Sequence, residues 1–301
     1  MNANFDLLKA INEARDFLMT KTALKPKIAI VLGTGLGDFA KKIDVVDTIP
    51  YQEIPHFKTS TVQGHSGKLL FGRLEGVEVM AMQGRLHYYE GYSMQDITFP
   101  IRVMKALGVQ VVMVSNAAGG LNPDYIPGDV MIIKDHINLF PEHPLHGPNI
   151  EELGTRFPDM SNAYDKKLIE VAEEFSKKCN LNLKKGVYVG TQGPTFETLA
   201  EYRYFRIIGG DSCGMSTVPE VIVANHAGLS VFGVSVISNV GCDANLSNVT
   251  HEEVQQNTLL AQDKLATLFT EMVKYCGAVM AARELARCFN GKGVSLTDEG
   301  K

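Results

Sequence analysis

The chain lacks a basic surplus. Among its 301 residues, 34 Asp and Glu outnumber 29 Lys and Arg, giving a net charge of −5 with His neutral. A nucleic-acid binder should carry the opposite balance. No nucleic-acid partner is therefore expected, although a small anion needs only a cation or two. Cysteine is sparse. The five, at positions 179, 213, 242, 276 and 288, are scattered, odd in number and contain no CxxC pair. That pattern excludes a disulfide framework and a thiolate zinc site, and points to a reducing, cytoplasmic compartment. No metal is expected either, because no HExxH-type histidine spacing occurs. Long apolar runs are missing too. The least polar long stretch, 227–242, is broken by serines and Asn239 and is too short to span a bilayer. Residues 5–18 are amphipathic, and Asp6, Glu13 and Asp16 interrupt any secretory core. No membrane partner is expected. Neither a linker nor an internal repeat is visible, so 1–301 reads as one domain with a polar tail at 290–301.

The composition, 45% hydrophobic and 21% charged, is that of an ordinary globular chain. Strand-like runs recur at 27–32, 68–74, 77–82, 109–115, 129–135, 186–190 and 229–239. Several are apolar on both faces, as strands covered on each side by helices must be. Glu75-Gly76 between two of them predicts a hairpin, hence a mixed sheet. Helical patterns lie at 4–20, 95–107, 163–179, 197–208, 219–227 and 250–288. The last opens on a capping-box pattern, Thr250 to Glu253. Alternating strands and helices make the fold α/β. Residues 139–162 carry no periodicity, and such segments inside a compact domain are usually functional or interfacial.

The stretch VLGTGLGDFA (31–40) places glycines after a strand. A dinucleotide fingerprint needs GxGxxG and an acid about 20 residues on. Gly33 and Gly35 fit, and Glu53 stands at the right distance. The third glycine position, however, is Asp38, whose charge would oppose a pyrophosphate. A nucleoside-triphosphate loop needs GxxxxGK[ST], and 33–40 contain no Lys or Arg. What remains is a turn offering amides and the Thr34 hydroxyl, suited to one free phosphate.

Other strand ends supply its partners. QGRLHYYEGY (83–92) puts Arg85 and His87 on one side of an extended segment, a planar fork beside a group that exchanges protons near neutral pH. GHSG (64–67) adds His65. VSNAAGGLNP (114–123) reads as a third strand-to-glycine turn, with Asn116 and a small-residue loop. GMSTVPE (214–220) puts Ser216 and Thr217 ahead of Pro219 at a helix start. Four such turns converge in an open α/β fold, which binds ligands at strand carboxyl ends.

In order along the chain, GTGLGDFA, VQGHSGKL, QGRLHYYEGY, SNAAGGLNP, DHINLF, RFPDMSNAYD, GPTFET and GMSTVPEV closely resemble the trimeric class of purine nucleoside phosphorylases. The resemblance covers about 25–275. It implies a single domain with a mixed, partly barrel-like sheet flanked by helices. It also implies reversible phosphorolysis of purine (deoxy)ribonucleosides to the base and (deoxy)ribose 1-phosphate, in purine salvage. No cofactor is implied; inorganic phosphate is a co-substrate. By motif, the phosphate site would be Thr34, His65, Arg85, His87, Asn116, Ala117 and Ser216. Ribose would meet Tyr89, Met215, His251 and Phe157, the last donated by a neighbouring subunit of a homotrimer. The base would meet Ala117, Phe196, Glu197 and Asn239. His87, Glu197 and Asn239 would carry the catalysis.

Two departures from the family pattern bear on substrate. Thr34 replaces the usual Ser, as in the related methylthioadenosine phosphorylases. Asn239, by contrast, argues for 6-oxopurines, since those relatives carry an aspartate-containing pattern there. Asp243 in VGCDAN is also unusual and would alter base tolerance if it reached the pocket. A nicotinamide oxidoreductase, resting on GTGLG and Glu53, and a non-catalytic nucleoside-binding protein are the readings from other classes.

Overall fold

The computed structural model describes residues 6–34, 36–62, 66–241 and 250–291. His65 and Asp243 lie outside the described residues. The chain opens with α1 (Leu7–Lys21), whose apolar stripe of Ala10, Ile11, Ala14 and Leu18 is buried. Then come β1 (Ile28–Leu32), β2 (Asp44–Pro50), β3 (Lys68–Leu74), β4 (Val77–Gln83), α2 (Met94–Ala106), β5 (Val111–Gly120) and β6 (Val130–Asn138). The second half holds α3 (Lys166–Lys178), β7 (Lys184–Gly190), α4 (Leu199–Ile207), β8 (Ser212–Gly214), α5 (Val218–His226), β9 (Ser230–Val240), α6 (His251–Leu259) and α7 (Gln262–Gly291).

Among the described residues the strands form one sheet in the order β2-β3-β4-β1-β5-β8-β7-β6-β9, and β9 pairs back onto β5. Five strands, β5, β8, β7, β6 and β9, thus close into a barrel. The sheet is mixed: β1–β4, β1–β5 and β5–β9 are parallel, while β3–β4 and β6–β9 are antiparallel. Glu75 and Gly76 make the expected hairpin turn, both with positive φ, and join Leu74 to Val77 in register. This order also disposes of the dinucleotide reading. β1 is flanked by β4 and β5 rather than β2, and Glu53, just after β2 on the far edge, is exposed.

Several expectations are corrected. β2 was not foreseen because it is an edge strand whose residues are mostly exposed, so no apolar alternation marks it. β8 is only Ser212–Gly214. The stretch SNAAGG is not a turn: β5 runs on through Gly120, and small residues let β8 and β9 approach it from either side. The single helix expected at 250–288 is two. Asn257 donates to the Ser238 carbonyl at 2.7 Å and ties the end of α6 to β9, and the chain turns through Leu260 before α7. Among the described residues, α7 and not 227–242 carries the stretch long and apolar enough to cross a membrane by length and composition. Its Leu265, Leu268, Phe269, Met272 and Val273 are buried in the main core.

The first glycine of the opening loop is set by a close approach. A Cβ on Gly33 would lie 2.7 Å from the Ser115 carbonyl oxygen and 2.9 Å from the Asn116 Cα, both backbone atoms of β5. Gly33→Ala should therefore destabilise the protein by about 1–3 kcal/mol in urea denaturation. Gly37→Ala, where the nearest atom is 3.7 Å away on the flexible Gln83 side chain, should stay within about 0.5 kcal/mol of wild type.

Candidate active site

A cavity of about 260 Å³ opens at the carboxyl ends of β1, β4 and β8 and along the last residues of β5 and β9. Thr34 follows β1, and Arg85, His87 and Tyr89 follow β4. Asn116 and Ala117 sit on β5, Met215 and Ser216 follow β8, and Asn239 ends β9. Phe196 and Glu197 precede α4, and His251 opens α6. All the sequence-predicted site residues that are described line this one cavity, except Phe157. Phe157 is 85% exposed, with the Arg156 guanidinium 5.8 Å from its ring centre.

Arg85 is buried and ion-paired. Its Nε and Nη2 meet the two Glu220 carboxylate oxygens at 3.1 and 3.0 Å. Nη1 donates to the Ser115 carbonyl at 2.6 Å and reaches the Ser216 hydroxyl at 3.4 Å. Glu220 had not been singled out. Its signal was there, a lone acid among the apolar residues VPEVIVA of α5, which must be paired to be buried. Ser216 is presented by a γ-turn: Thr217 has φ 69° and ψ −54°, and Val218 N–H donates to the Ser216 carbonyl at 2.7 Å. A buried β-branched residue at positive φ is strained, and such strain collects where a side chain must be aimed. The Asn116 amide steadies the turn by donating to the Thr217 hydroxyl at 2.9 Å.

His87 is buried, which pulls its pKa below the ordinary histidine range despite the Glu90 carboxylate beside it. Its Nδ1 lies 3.1 Å from Glu90. Burial opposes ionisation of Glu90, yet hydrogen bonds from His87 and from the Thr61 amide and hydroxyl bring its pKa down to about 2. An ionised carboxylate only accepts, so Nδ1 carries the proton and Nε2 the lone pair. The neutral imidazole also stacks on Tyr89, ring centres 4.8 Å apart. At α6, the Gln255 amide lies 3.0 Å from His251 Nε2; an amide nitrogen only donates, which puts the His251 proton on Nδ1.

The other wall differs in chemistry. Glu197 is held above the ordinary carboxylate range by burial. β9 bulges at Ser238: Ala118 pairs with Ile237 but Gly119 with Asn239, so Ser238 and Asn239 both line the cavity. The Ser238 hydroxyl lies 2.8 Å from Asn239 Oδ1 and 3.2 Å from the Ala118 carbonyl oxygen, holding the amide against β5. Among the described residues, no cluster of three or more His, Cys, Asp or Glu side chains could hold a metal ion.

The phosphorylase superfamily pattern matches residues 27–274. The chain belongs to that superfamily. It is 51% identical over 265 residues to purine nucleoside phosphorylase 1 of Geobacillus stearothermophilus, covering 88% of this chain and 95% of the relative. The structure of isoform 2 of purine nucleoside phosphorylase from Schistosoma mansoni, in complex with cytosine and ribose-1-phosphate, superposes with a TM-score of 0.84. The two share 42% identity, over 88% of this chain and 95% of that one. The Schistosoma enzyme in complex with hypoxanthine gives a TM-score of 0.83 at 41% identity, over 88% of this chain and 96% of that one. The mixed, partly barrel-like sheet is the one these phosphorylases have.

Because Glu90 has a lowered pKa, its bonds stabilise the fold above the ordinary carboxylate value of 4.5 and are lost as pH falls toward 2. Glu90→Gln should cost about 1–3 kcal/mol at pH 7. The gap from wild type should narrow in urea denaturation at pH 3.5; an equal gap at both pH values would rule out its ionised bonds as the source.

Proposed function

We propose that the chain catalyses the reversible phosphorolysis of purine ribo- and deoxyribonucleosides of the inosine and guanosine type. The C1′–N9 bond breaks and phosphate oxygen bonds to C1′, giving free base and (deoxy)ribose 1-phosphate. One observation carries the reading: a single cavity has Arg85 and the hydroxyls of Thr34 and Ser216 on one wall, and a carboxylate with an amide, Glu197 and Asn239, on another. No cofactor enters the scheme, with phosphate as co-substrate and purine salvage in the cytoplasm as the setting.

Bond cleavage makes the sugar cation-like and leaves negative charge on the purine, so stabilisation must act on both halves together. Phosphate held by Arg85, Thr34, Ser216 and the Ala117 backbone offsets the sugar charge and then captures C1′. Holding it there supplies much of the rate. The Nε2 lone pair of His87 accepts a phosphate hydroxyl. Asn239 has one amide hydrogen on Tyr202, leaving the second to meet N7 as charge builds there. Ionised Glu197 accepts N1–H of a 6-oxopurine. Adenine has a lone pair at N1, and a buried carboxylate facing it is left unpaired. That disfavours methylthioadenosine, although Thr34 suits it.

Incubation with inosine should release hypoxanthine only when phosphate is present, and far faster than adenosine or methylthioadenosine releases adenine. Glu197→Gln should cut kcat/KM for inosine by about 100-fold or more and leave phosphate affinity within about twofold. If the adenine nucleosides are cleaved while inosine is inert, the reading is wrong.

We also infer a homotrimer in which Phe157 covers the sugar of a neighbouring site. In support, the segment that carries it is braced: Arg156 donates to the carbonyls of Leu145 and Gly147, and Arg102 to that of Leu153. A braced loop presenting a bare aromatic ring suits a partner's cavity. Phe157→Ala should raise KM for inosine by about tenfold while the particle keeps a trimer's mass in light scattering. An active monomer would sink this inference.

A further inference from the structure

Glu197 and Asn239 do not stand alone. Two polar groups flank the Glu197 carboxylate in the cavity lining, the Cys213 thiol on β8 and the Tyr202 hydroxyl on α4. Tyr202 is 5% exposed and lines the cavity. Its oxygen receives the Asn239 Nδ2–H at 3.4 Å. Having accepted there, the hydroxyl still has its own hydrogen to offer the carboxylate. The result is a polar cluster in which Asn239 donates to Tyr202 and Tyr202 stands beside Glu197. Gly119 of β5 marks where these groups converge. A Cβ there would lie 3.5 Å from Cys213 Sγ and 3.6 Å from both Asn239 Nδ2 and the Tyr202 hydroxyl. Gly241 presses against the Tyr202 ring, where a Cβ would not fit.

We propose that Tyr202 and Cys213 are positioning residues that hold Glu197 as an oriented, ionised carboxylate, and that Tyr202 couples it to Asn239 so that the pair reads a 6-oxopurine as one unit. This rests on the phosphorolysis reading. The physical need is clear. Burial pushes Glu197 toward its neutral form, and the like charge of Glu201, one turn along, pushes the same way. The Glu197 backbone N–H opposes both effects first, and the Cys213 thiol and the Tyr202 hydroxyl add to it. His87, Tyr89 and His251 are the other titratable groups lining the cavity described above, beyond Arg85 with its Glu220. A protonated Glu197 would donate to N1 instead of accepting from it. It would then favour adenine, so keeping the proton off Glu197 is itself base discrimination. Both donors stay in the small core of Leu121, Val189 and Phe205, and a phenylalanine at 202 keeps that packing.

The test is a pH profile on Tyr202→Phe, Cys213→Ala and Cys213→Ser, with inosine and adenosine as substrates and 13C-labelled glutamate to follow the Glu197 carboxyl. Tyr202→Phe should lower kcat/KM for inosine about tenfold at pH 7 and leave adenosine within about twofold. The acid limb for inosine, and the carboxyl midpoint seen by NMR, should both move up by about one pH unit. Cys213→Ala should move them the same way, and Cys213→Ser, which keeps a donor, should restore them. If both substrates fall together with an unmoved limb and an unmoved carboxyl midpoint, Tyr202 only packs and the proposal is overturned. If wild type leaves inosine intact, the phosphorolysis reading fails, and the NMR midpoints still decide whether the donor pair holds the charge.

Discussion

The buried pairing of Arg85 with Glu220 is the contact on which the rest of the site depends. It joins the end of β4 to α5 and, through Nη1, to the backbone of β5 and the hydroxyl of Ser216. Taking such a charge out of water costs several kcal/mol, which a close partner and further hydrogen bonds must offset; losing one member of a buried pair costs about 3–5 kcal/mol. The pair also sets the electrostatics. Arg85 brings no net positive charge to the cavity floor, because Glu220 cancels it. Phosphate must then be held by aimed donors, guanidinium N–H groups, hydroxyls and amides, rather than by a surplus of charge. That is compatible with a chain carrying a net charge of −5.

Aimed donors need a rigid frame, and the barrel provides it. β5 runs from its pairing with β1 into the closed ring, so the Gly33 turn and the Asn116–Gly119 stretch belong to one strand system. The small residues at the end of β5 serve closure as much as ligand access. They let β8 and β9 pack against the same strand, and the bulge at Ser238 then brings Asn239 into the cavity beside its neighbour. Where the backbone could not comply without cost, at Thr217, a positive φ is held by buried hydrogen bonds rather than relieved.

The parts of this arrangement that were legible in the sequence are those with local signatures. Apolar runs marked the inner strands, and the glycine-flanked motifs marked the loops that converge. The edge strand β2 left no mark because solvent covers most of its residues. The break between α6 and α7 left none because its cause, Asn257 reaching β9, is tertiary. Glu90, Glu220, Tyr202 and Cys213 were missed for a related reason. Each lies in or beside a recognised motif, but its role is to fix a neighbour that becomes a neighbour only on folding. Glu220 is the exception that could have been caught, as an isolated acid in an apolar helix.

The two walls of the cavity obey one electrostatic rule with opposite displacements. Burial disfavours charge, so it lowers the pKa of His87 and raises that of Glu197. At the phosphate wall this helps, because a neutral imidazole with its proton fixed on Nδ1 by Glu90 presents a lone pair. At the base wall it works against function, and Tyr202 and Cys213 are placed to resist it. Both working states, neutral His87 and ionised Glu197, are reached from the same side, by raising pH. These two groups together therefore impose an acid limb and no alkaline one. A fall in rate at high pH has a source in the substrates, since the free 6-oxopurine base and its nucleoside lose the N1 proton that Glu197 is built to accept.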